Sequence, residues 1–390
     1  MKTANMTLER SPKGILILTP FFSPNVGGAE THFDDLVMAL DKRGYKIFVQ
    51  TYSPLTTGGI QWRPREEWGN VCVRRYRWFG KNLFHKIDKY PFLDFLYLTP
   101  YLAIRAFLFM LQNHSKIDVI HAQGLNAVLI GWVLKKIFSK KLIASTHAVY
   151  ELDKVSKTAK IIKAVLNGAD QVLCLSKASM SELVSFGIDP DKLSLFKYWI
   201  NLDVFKPMPK KQVRDELNLK DQFTVLFVGR LIEKKGIKVL MGVAKQMKQI
   251  QFIFIGTGPE ERMIQTEAER FSHILFRGMV ENVKLCEYYN AADIFCLPSQ
   301  YEEGFGRVGM EAVACGIPVV GANKGGIPEA LDKSVALLVE PTVEGLHKAI
   351  ESLYIHSDQY LSLKQNCSEY AHRNFSENNI ALITEHYERC

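Results

Sequence analysis

Two α/β domains, each a doubly wound, Rossmann-like parallel sheet and the pair facing a central cleft, are what this 390-residue sequence predicts. Three observations carry the expectation. Short apolar, β-rich runs alternate with longer segments of helical period, the pattern of parallel strands covered by helices on both faces. The alternation stops in a turn-rich passage at 201–211, with Pro207 and Pro209, and then restarts. The length suits two domains of roughly 100–200 residues each, and 47% hydrophobic with 23% charged residues is ordinary globular composition.

In the first half the strand-like runs are 14–19, 46–51, 71–75, 118–121, 142–146 and 171–175. A further apolar stretch, 92–111, reads as a core helix. In the second half the runs are 224–229, 251–256, 274–277, 294–297, 318–321 and 336–339. Domains are therefore expected at 1–200 and 201–375, with 376–390 as a closing helix. No repeat and no low-complexity tract interrupts this pattern.

Several classes of protein are disfavoured by the same residues. The seven cysteines form no CxxC pair, which fits neither a disulfide framework nor a zinc cage and suggests a reducing cytosol. Residues 1–13 carry Lys2, Glu9, Arg10 and Lys13 without an apolar run, unlike a secretory signal. The stretch 91–112 is broken by Asp94, Pro100 and Arg105, too short a charge-free run for the ~20 residues of a bilayer crossing. The net charge of +8 is uneven: residues 1–200 hold 27 Lys and Arg against 16 Asp and Glu, whereas 201–390 hold 22 against 25.

In open α/β sheets ligands bind beyond the carboxyl ends of strands, where helix N-termini offer unpaired N–H groups to anions. The first strand runs into Gly27-Gly-Ala-Glu30 and a helix, where two glycines let the backbone approach a ligand closely; a plain turn or cap fits as well. The first strand of the second half runs into Gly229-Arg-Leu231 with Lys235-Gly236, so that Arg230 and Lys235 could clamp a diphosphate. The densest segment is 302–320, where Gly304 and Gly306 open a helix and Glu303 and Glu311 bracket it. Eight helical steps separate those carboxylates by ~12 Å, too far for either kind of glycosidase pair and better suited to gripping two parts of one long ligand.

Together with Gly256-Thr-Gly-Pro-Glu260, Leu297-Pro-Ser299 and Gly325-Gly-Ile-Pro-Glu329, these motifs stand in the order and spacing of the retaining GT-B glycosyltransferases of the GT4 type. The chain resembles that family from about residue 14 to 376. The resemblance implies that the first domain binds the acceptor, that the second holds a nucleotide-diphosphate-sugar, and that 376–390 crosses back to the first. It implies that Glu311 accepts hydrogen bonds from ribose hydroxyls, that Glu303 and the amides around Phe305 and Gly306 hold the transferred sugar, and that Arg230 and Lys235 neutralise the departing diphosphate. His147 is similarly placed near that sugar, and Gly27, Gly28, Gly258, Gly304 and Arg307 complete the donor-binding set. A UDP- or GDP-sugar is the expected donor, with no other cofactor.

Breaking the anomeric C–O bond leaves negative charge on the β-phosphate, so donors aimed at the phosphate are what catalysis needs. No carboxylate nucleophile is identifiable, so retention by same-face attack, with the leaving phosphate as base, is expected. The single Asp-x-Asp, Asp189-Pro-Asp191, reads as a cap rather than a metal site. Three positions depart from the family. Ile200-Asn-Leu-Asp203 stands where Asn-Gly-Val-Asp is common. Arg307 replaces an aliphatic residue and suggests an added phosphate contact. Gln123 replaces a second histidine after His121, which reads as structural.

The basic excess gathers at 74–89, where Arg and Lys alternate with Tyr76, Trp78, Phe79 and Phe84. No nucleic-acid module accompanies it. An anionic membrane surface is favoured over a solvated helix, which places the enzyme in the cytoplasm, peripheral at the membrane. The function expected is transfer of a sugar to a lipid-linked or membrane-proximal glycan. A soluble transferase acting on a small metabolite and a non-catalytic nucleotide-sugar-binding subunit are the alternatives.

Overall fold

The computed structural model describes residues 13–25, 27–57, 59–80, 83, 87, 90–147 and 157–389. Two sheets organise them. The first contains β1 (Gly14–Leu18), β2 (Lys46–Tyr52), β3 (Arg65–Trp68), β4 (Val71–Tyr76), β5 (Val119–Gln123), β6 (Lys141–Thr146), β7 (Gln171–Cys174) and β8 (Leu193–Leu195), in the order β3-β4-β2-β1-β5-β6-β7-β8. The second contains β9 (Thr224–Val228), β10 (Gln251–Ile255), β11 (Ile274–Phe276), β12 (Ile294–Leu297), β13 (Val319–Ala322) and β14 (Ala336–Val339), in the order β11-β10-β9-β12-β13-β14. Every pairing is parallel except β3 with β4.

All twelve strands expected from the apolar runs are present, because strands covered on both faces are apolar throughout: β1, β5, β9 and β10 are buried at every position. The two that the sequence hid are edge strands. β3 is Arg-Glu-Glu-Trp with three of its four residues exposed, and β8 is only Leu-Ser-Leu. The expected core helix at 92–111 is instead two helices, Pro91–Leu98 and Pro100–Asn113, broken at Thr99, where Pro100 disfavours continuation. Only one face is core: Leu102, Ala106, Phe109 and Met110 are buried, while Ile104 is 57% exposed. By length and composition alone, Phe92–Lys116 would suffice to cross a membrane, with a mean hydropathy of 1.4. Part of the basic stretch at 74–89 falls outside the described residues.

The carboxyl ends of the two sheets meet. One apolar cluster runs through both, joining Phe33 and Leu36 of the first to Phe305 and Met310 of the second through Trp199. The chain crosses back after Asn374: Ile200 N–H donates to Phe375 O at 2.9 Å, and the helix Ala381–Glu388 packs on the first sheet. There Lys13 Nζ and Lys141 Nζ donate to the carbonyls of Tyr387 and His386, each at 2.7 Å.

Candidate active site

Glu303 follows β12 and is buried. Its Oε1 lies 2.5 Å from Lys235 Nζ and accepts from Ser299 Oγ at 2.5 Å. Burial pushes the carboxyl up, but the Lys235 charge and the hydrogen bonds from Lys235, Ser299 and Tyr301 hold it net below its usual range. Burial likewise acts against the Lys235 ammonium, and Glu303 outweighs it, keeping the lysine charged. Lys235 comes from the turn Glu233–Lys235 after β9 and also lies over the Tyr301 ring at 5.3 Å. A cation is thus held against the loop that carries the first carboxylate. Arg230, from the same connection, stays exposed and is not part of this pair.

Eight residues on, Glu311 sits on the helix Arg307–Ala314, fully inside. Tyr289 Oη donates to its Oε2 at 3.0 Å and Arg307 Nε to its Oε1 at 3.1 Å. Burial raises the Glu311 carboxyl despite the Arg307 charge. Arg307 does not extend toward a phosphate, the contact suggested by its place after the loop. Its Nη1 donates to Trp199 O at 3.1 Å and its Nη2 lies 2.7 Å from Asp35 Oδ2, so every guanidinium nitrogen is already engaged. With i,i+4 spacing on one helix it reaches Glu311, and with its fork it reaches the first domain.

His147, at the end of β6, has both ring nitrogens occupied: Nδ1 accepts from Tyr198 Oη at 2.8 Å and Nε2 donates to Gln123 Oε1 at 2.7 Å. Gln123 turns its amide nitrogen to His121 Nε2 at 3.2 Å, where Ser145 Oγ also donates at 2.7 Å. His121 Nδ1 then donates to Tyr387 Oη at 2.6 Å. Burial pushes both histidines down to about 3, so each is neutral and its tautomer is set by Gln123. The residue that replaces the family's second histidine is therefore the bridge between the two histidines present. The sequence marked Gln123 only as a departure, without this role, and missed His32, whose ring stacks on Tyr198 at 4.0 Å and whose Nδ1 has no hydrogen-bond partner among the described residues.

The glycines explain how closely these parts approach. A Cβ on Gly304 would stand 2.2 Å from the His147 carbonyl oxygen, and one on Gly326 would stand 1.8 Å from the Gly304 carbonyl oxygen. The loop Gly304–Gly306, with Phe305 buried beneath it, is thus wedged between the first domain and Gly325–Gly326. Gly27 and Gly28 open the helix Gly28–Lys42; Gly28 faces Arg307, and a Cβ on Gly27 would meet the Glu30 carboxylate at 2.2 Å. Burial raises the Glu30 carboxyl, opposed by the charge of Arg230 across the cleft. Gly258 packs backbone to backbone against Leu231. Glu329, last residue of Gly325-Gly-Ile-Pro-Glu329, accepts from Lys177 N at 2.7 Å and Ala178 N at 3.0 Å, capping a first-domain helix from the second domain.

Asp189 accepts from Asp191 N at 3.1 Å as the cap of the turn Pro190–Lys192. Among the described residues no three His, Cys, Asp or Glu side chains group in a way that could hold a metal ion.

A family model described as Glycosyltransferase Family 4 matches residues 26–204, and one described as Glycosyl transferases group 1 matches 209–374. The chain belongs to the group 1, family 4 glycosyltransferases. One subunit of human phosphatidylinositol N-acetylglucosaminyltransferase is 26% identical over 362 residues, which span 89% of this chain and 70% of that one. The GDP-mannose-dependent alpha-(1-6)-phosphatidylinositol monomannoside mannosyltransferase of Mycolicibacterium smegmatis is 24% identical, over 87% of this chain and 88% of its own. The structure of Anabaena HepE in complex with UDP and glucose superposes with a TM-score of 0.77 at 20% identity, covering 97% and 100% of the two chains. This glycosyltransferase therefore has the GT-B architecture.

Proposed function

We propose that this glycosyltransferase moves a sugar from a UDP- or GDP-sugar to a lipid-linked acceptor, with retention at the anomeric carbon and without a metal ion, as a peripheral enzyme at the cytoplasmic face of a membrane. The observation that carries the reading is the buried Lys235–Glu303 pair, beside the Gly304 loop that meets the first domain at His147. In it Lys235, with Arg230, neutralises the diphosphate as the C–O bond breaks, Glu303 and the amides around Phe305 and Gly306 hold the sugar, and Glu311 receives the ribose. Residues 201–375 bind the donor, 1–200 bind the acceptor, and 376–390 brace the first domain. His147, clamped by Tyr198 and Gln123, acts as a neutral wall beside the sugar rather than as an acid or base.

Two features support a lipid-linked acceptor. Both relatives named above have phosphatidylinositol in the names of their activities. In this chain Arg77, Trp78, Phe79 and Tyr101 surround an open hollow of ≈ 530 Å³ just past the end of β4, and Trp78 packs near-parallel to both Tyr52 and Tyr101, at 5.4 and 4.8 Å.

A thermal-shift panel of UDP, GDP and ADP, followed by NMR of the product's anomeric proton, tests the reading. One of UDP or GDP should raise the melting temperature, since ligand at 100 times Kd adds about 2.7 kcal/mol. The product should keep the donor's anomeric configuration. No shift with any of the three, or an inverted product, overturns it.

A further inference from the structure

We propose that the outer helical face of the first domain is a docking surface for an anionic phospholipid bilayer; this rests on the lipid-acceptor reading and names the partner it needs. Among the described residues, eleven of the twenty exposed large apolar side chains lie between Phe79 and Ile161. They are not scattered. The helix Pro100–Asn113 buries Leu102, Ala106, Phe109 and Met110 against the sheet, yet presents Ile104, Leu108 and Leu111 outward, 57%, 47% and 52% exposed. A surface helix of a soluble domain carries polar residues on that side. The neighbouring helices Leu125–Phe138 and Lys157–Asn167 continue the face with Val133, Ile137 and Ile161.

Charge identifies the occupant. The three helices hold six Lys and Arg and no Asp or Glu, and Lys136, Lys160 and Lys163 are exposed among the apolar residues. Apolar side chains set among cations with no acid is the combination that enters the headgroup region of an anionic leaflet. A second copy of the chain would set the same cations against one another. A crossing helix is excluded by the buried side of Pro100–Asn113, which would have to leave the core, so the face lies flat on the interface. The helix Pro91–Leu98 then carries the surface to the aromatic hollow, where Tyr97 packs on Phe79 at 5.5 Å, so that a lipid headgroup could pass from bilayer to acceptor site.

Co-sedimentation of the full chain with vesicles of phosphatidylcholine containing about 30 mol% phosphatidylserine tests this. Wild type should pellet with those vesicles and not with pure phosphatidylcholine, and raised salt should weaken binding. Ile104→Glu/Leu108→Glu should lower partitioning at least tenfold, as should Lys136→Glu/Lys160→Glu in a separate variant whose apolar residues are intact. Both should keep the wild-type melting temperature and wild-type transfer to a water-soluble, short-chain acceptor. Variants that pellet like wild type, binding indifferent to lipid charge, or a wild-type dimer that Ile104→Glu/Leu108→Glu renders monomeric would each overturn the proposal. Docking without transfer to any lipid acceptor would instead sink the acceptor reading and leave the surface standing; transfer to a lipid acceptor by a wild-type protein that does not pellet with anionic vesicles would do the reverse.

Discussion

Arg307 Nη2 lies 2.7 Å from Asp35 Oδ2, so a guanidinium rooted beside Glu311 of the second domain is anchored in the first. Removing one partner of a buried pair strands the other charge, at a cost of about 3–5 kcal/mol, whereas removing both is far milder. Arg307→Leu and Asp35→Leu should each lower the unfolding free energy by about 3 kcal/mol, and the double variant by less than their sum. Urea unfolding of the four proteins checks it. Additive losses would show that the pair is not coupled and that Arg307 serves Glu311 alone.

Lys235 and Glu303 are expected to separate in kinetics although they touch. If Lys235 meets the leaving diphosphate as proposed, Lys235→Met should cost about 10²–10³ in rate, the scale of losing one such donor. It should also raise the Glu303 carboxyl, whose low value depends on that ammonium. Glu303→Gln keeps the shape and should lower kcat with nucleotide affinity nearly unchanged. Calorimetric titration with the nucleotide beside steady-state rates distinguishes the two. A large affinity loss in Glu303→Gln would place that carboxylate on the nucleotide rather than on the sugar.

Asp34 predicts a pH dependence of stability. Burial pushes its carboxyl up to about 7, partly opposed by a hydrogen bond from Ser23. The unfolded value is near 3.9, so between about pH 4 and 7 the folded state binds the extra proton and stability falls as pH rises. Asp34→Asn removes the ionisation and should stabilise the protein at pH 8, by about 1–3 kcal/mol, with the gain vanishing below about pH 4. Chemical denaturation at both pH values measures it; an equal effect at both would mean the residue acts through packing.

The parts of the fold legible in the sequence were those whose physics is local. Doubly covered strands are apolar at every position, which is why β9 and β10 announced themselves and exposed β3 did not. Glu303, Glu311 and Lys235 were legible because they follow strands. Their surroundings were not: Tyr289 comes from a separate helix, and Asp35, which holds Arg307, comes from the other domain, brought in by closure alone, while Gln123 meets His147 from the neighbouring strand β5. Ser299 and Glu329 lay within motifs already noticed, yet nothing in their spacing revealed a hydrogen bond to Glu303 or a cap on a distant helix. Arg307 was legible as an anomaly and misread in direction, since its helical position does not say which domain the fork faces.

Metal removal gives a further outcome. If Arg230, Lys235 and the Gly304–Gly306 amides supply the charge the leaving diphosphate needs, transfer should persist after dialysis against EDTA, within about twofold of the untreated rate. Activity abolished by EDTA and restored by manganese would move that task to an ion.

Gly304→Ala probes the closed arrangement itself. The added methyl would stand 2.2 Å from the His147 carbonyl oxygen, which belongs to the backbone following β6 and cannot swing aside as a side chain would. The two domains must therefore separate locally, drawing the Glu303 loop from His147 and loosening the Glu329 cap on Lys177 and Ala178. Nucleotide contacts made within the second domain should survive, because Lys235, Tyr289 and Glu311 do not meet the new methyl. The expected result is nucleotide binding close to wild type with kcat reduced by about 10²-fold, the scale of a misplacement of roughly 1 Å. Small-angle scattering with saturating nucleotide should give a larger radius of gyration than wild type. Unchanged kcat would mean that the chemistry does not require the loop and His147 to meet.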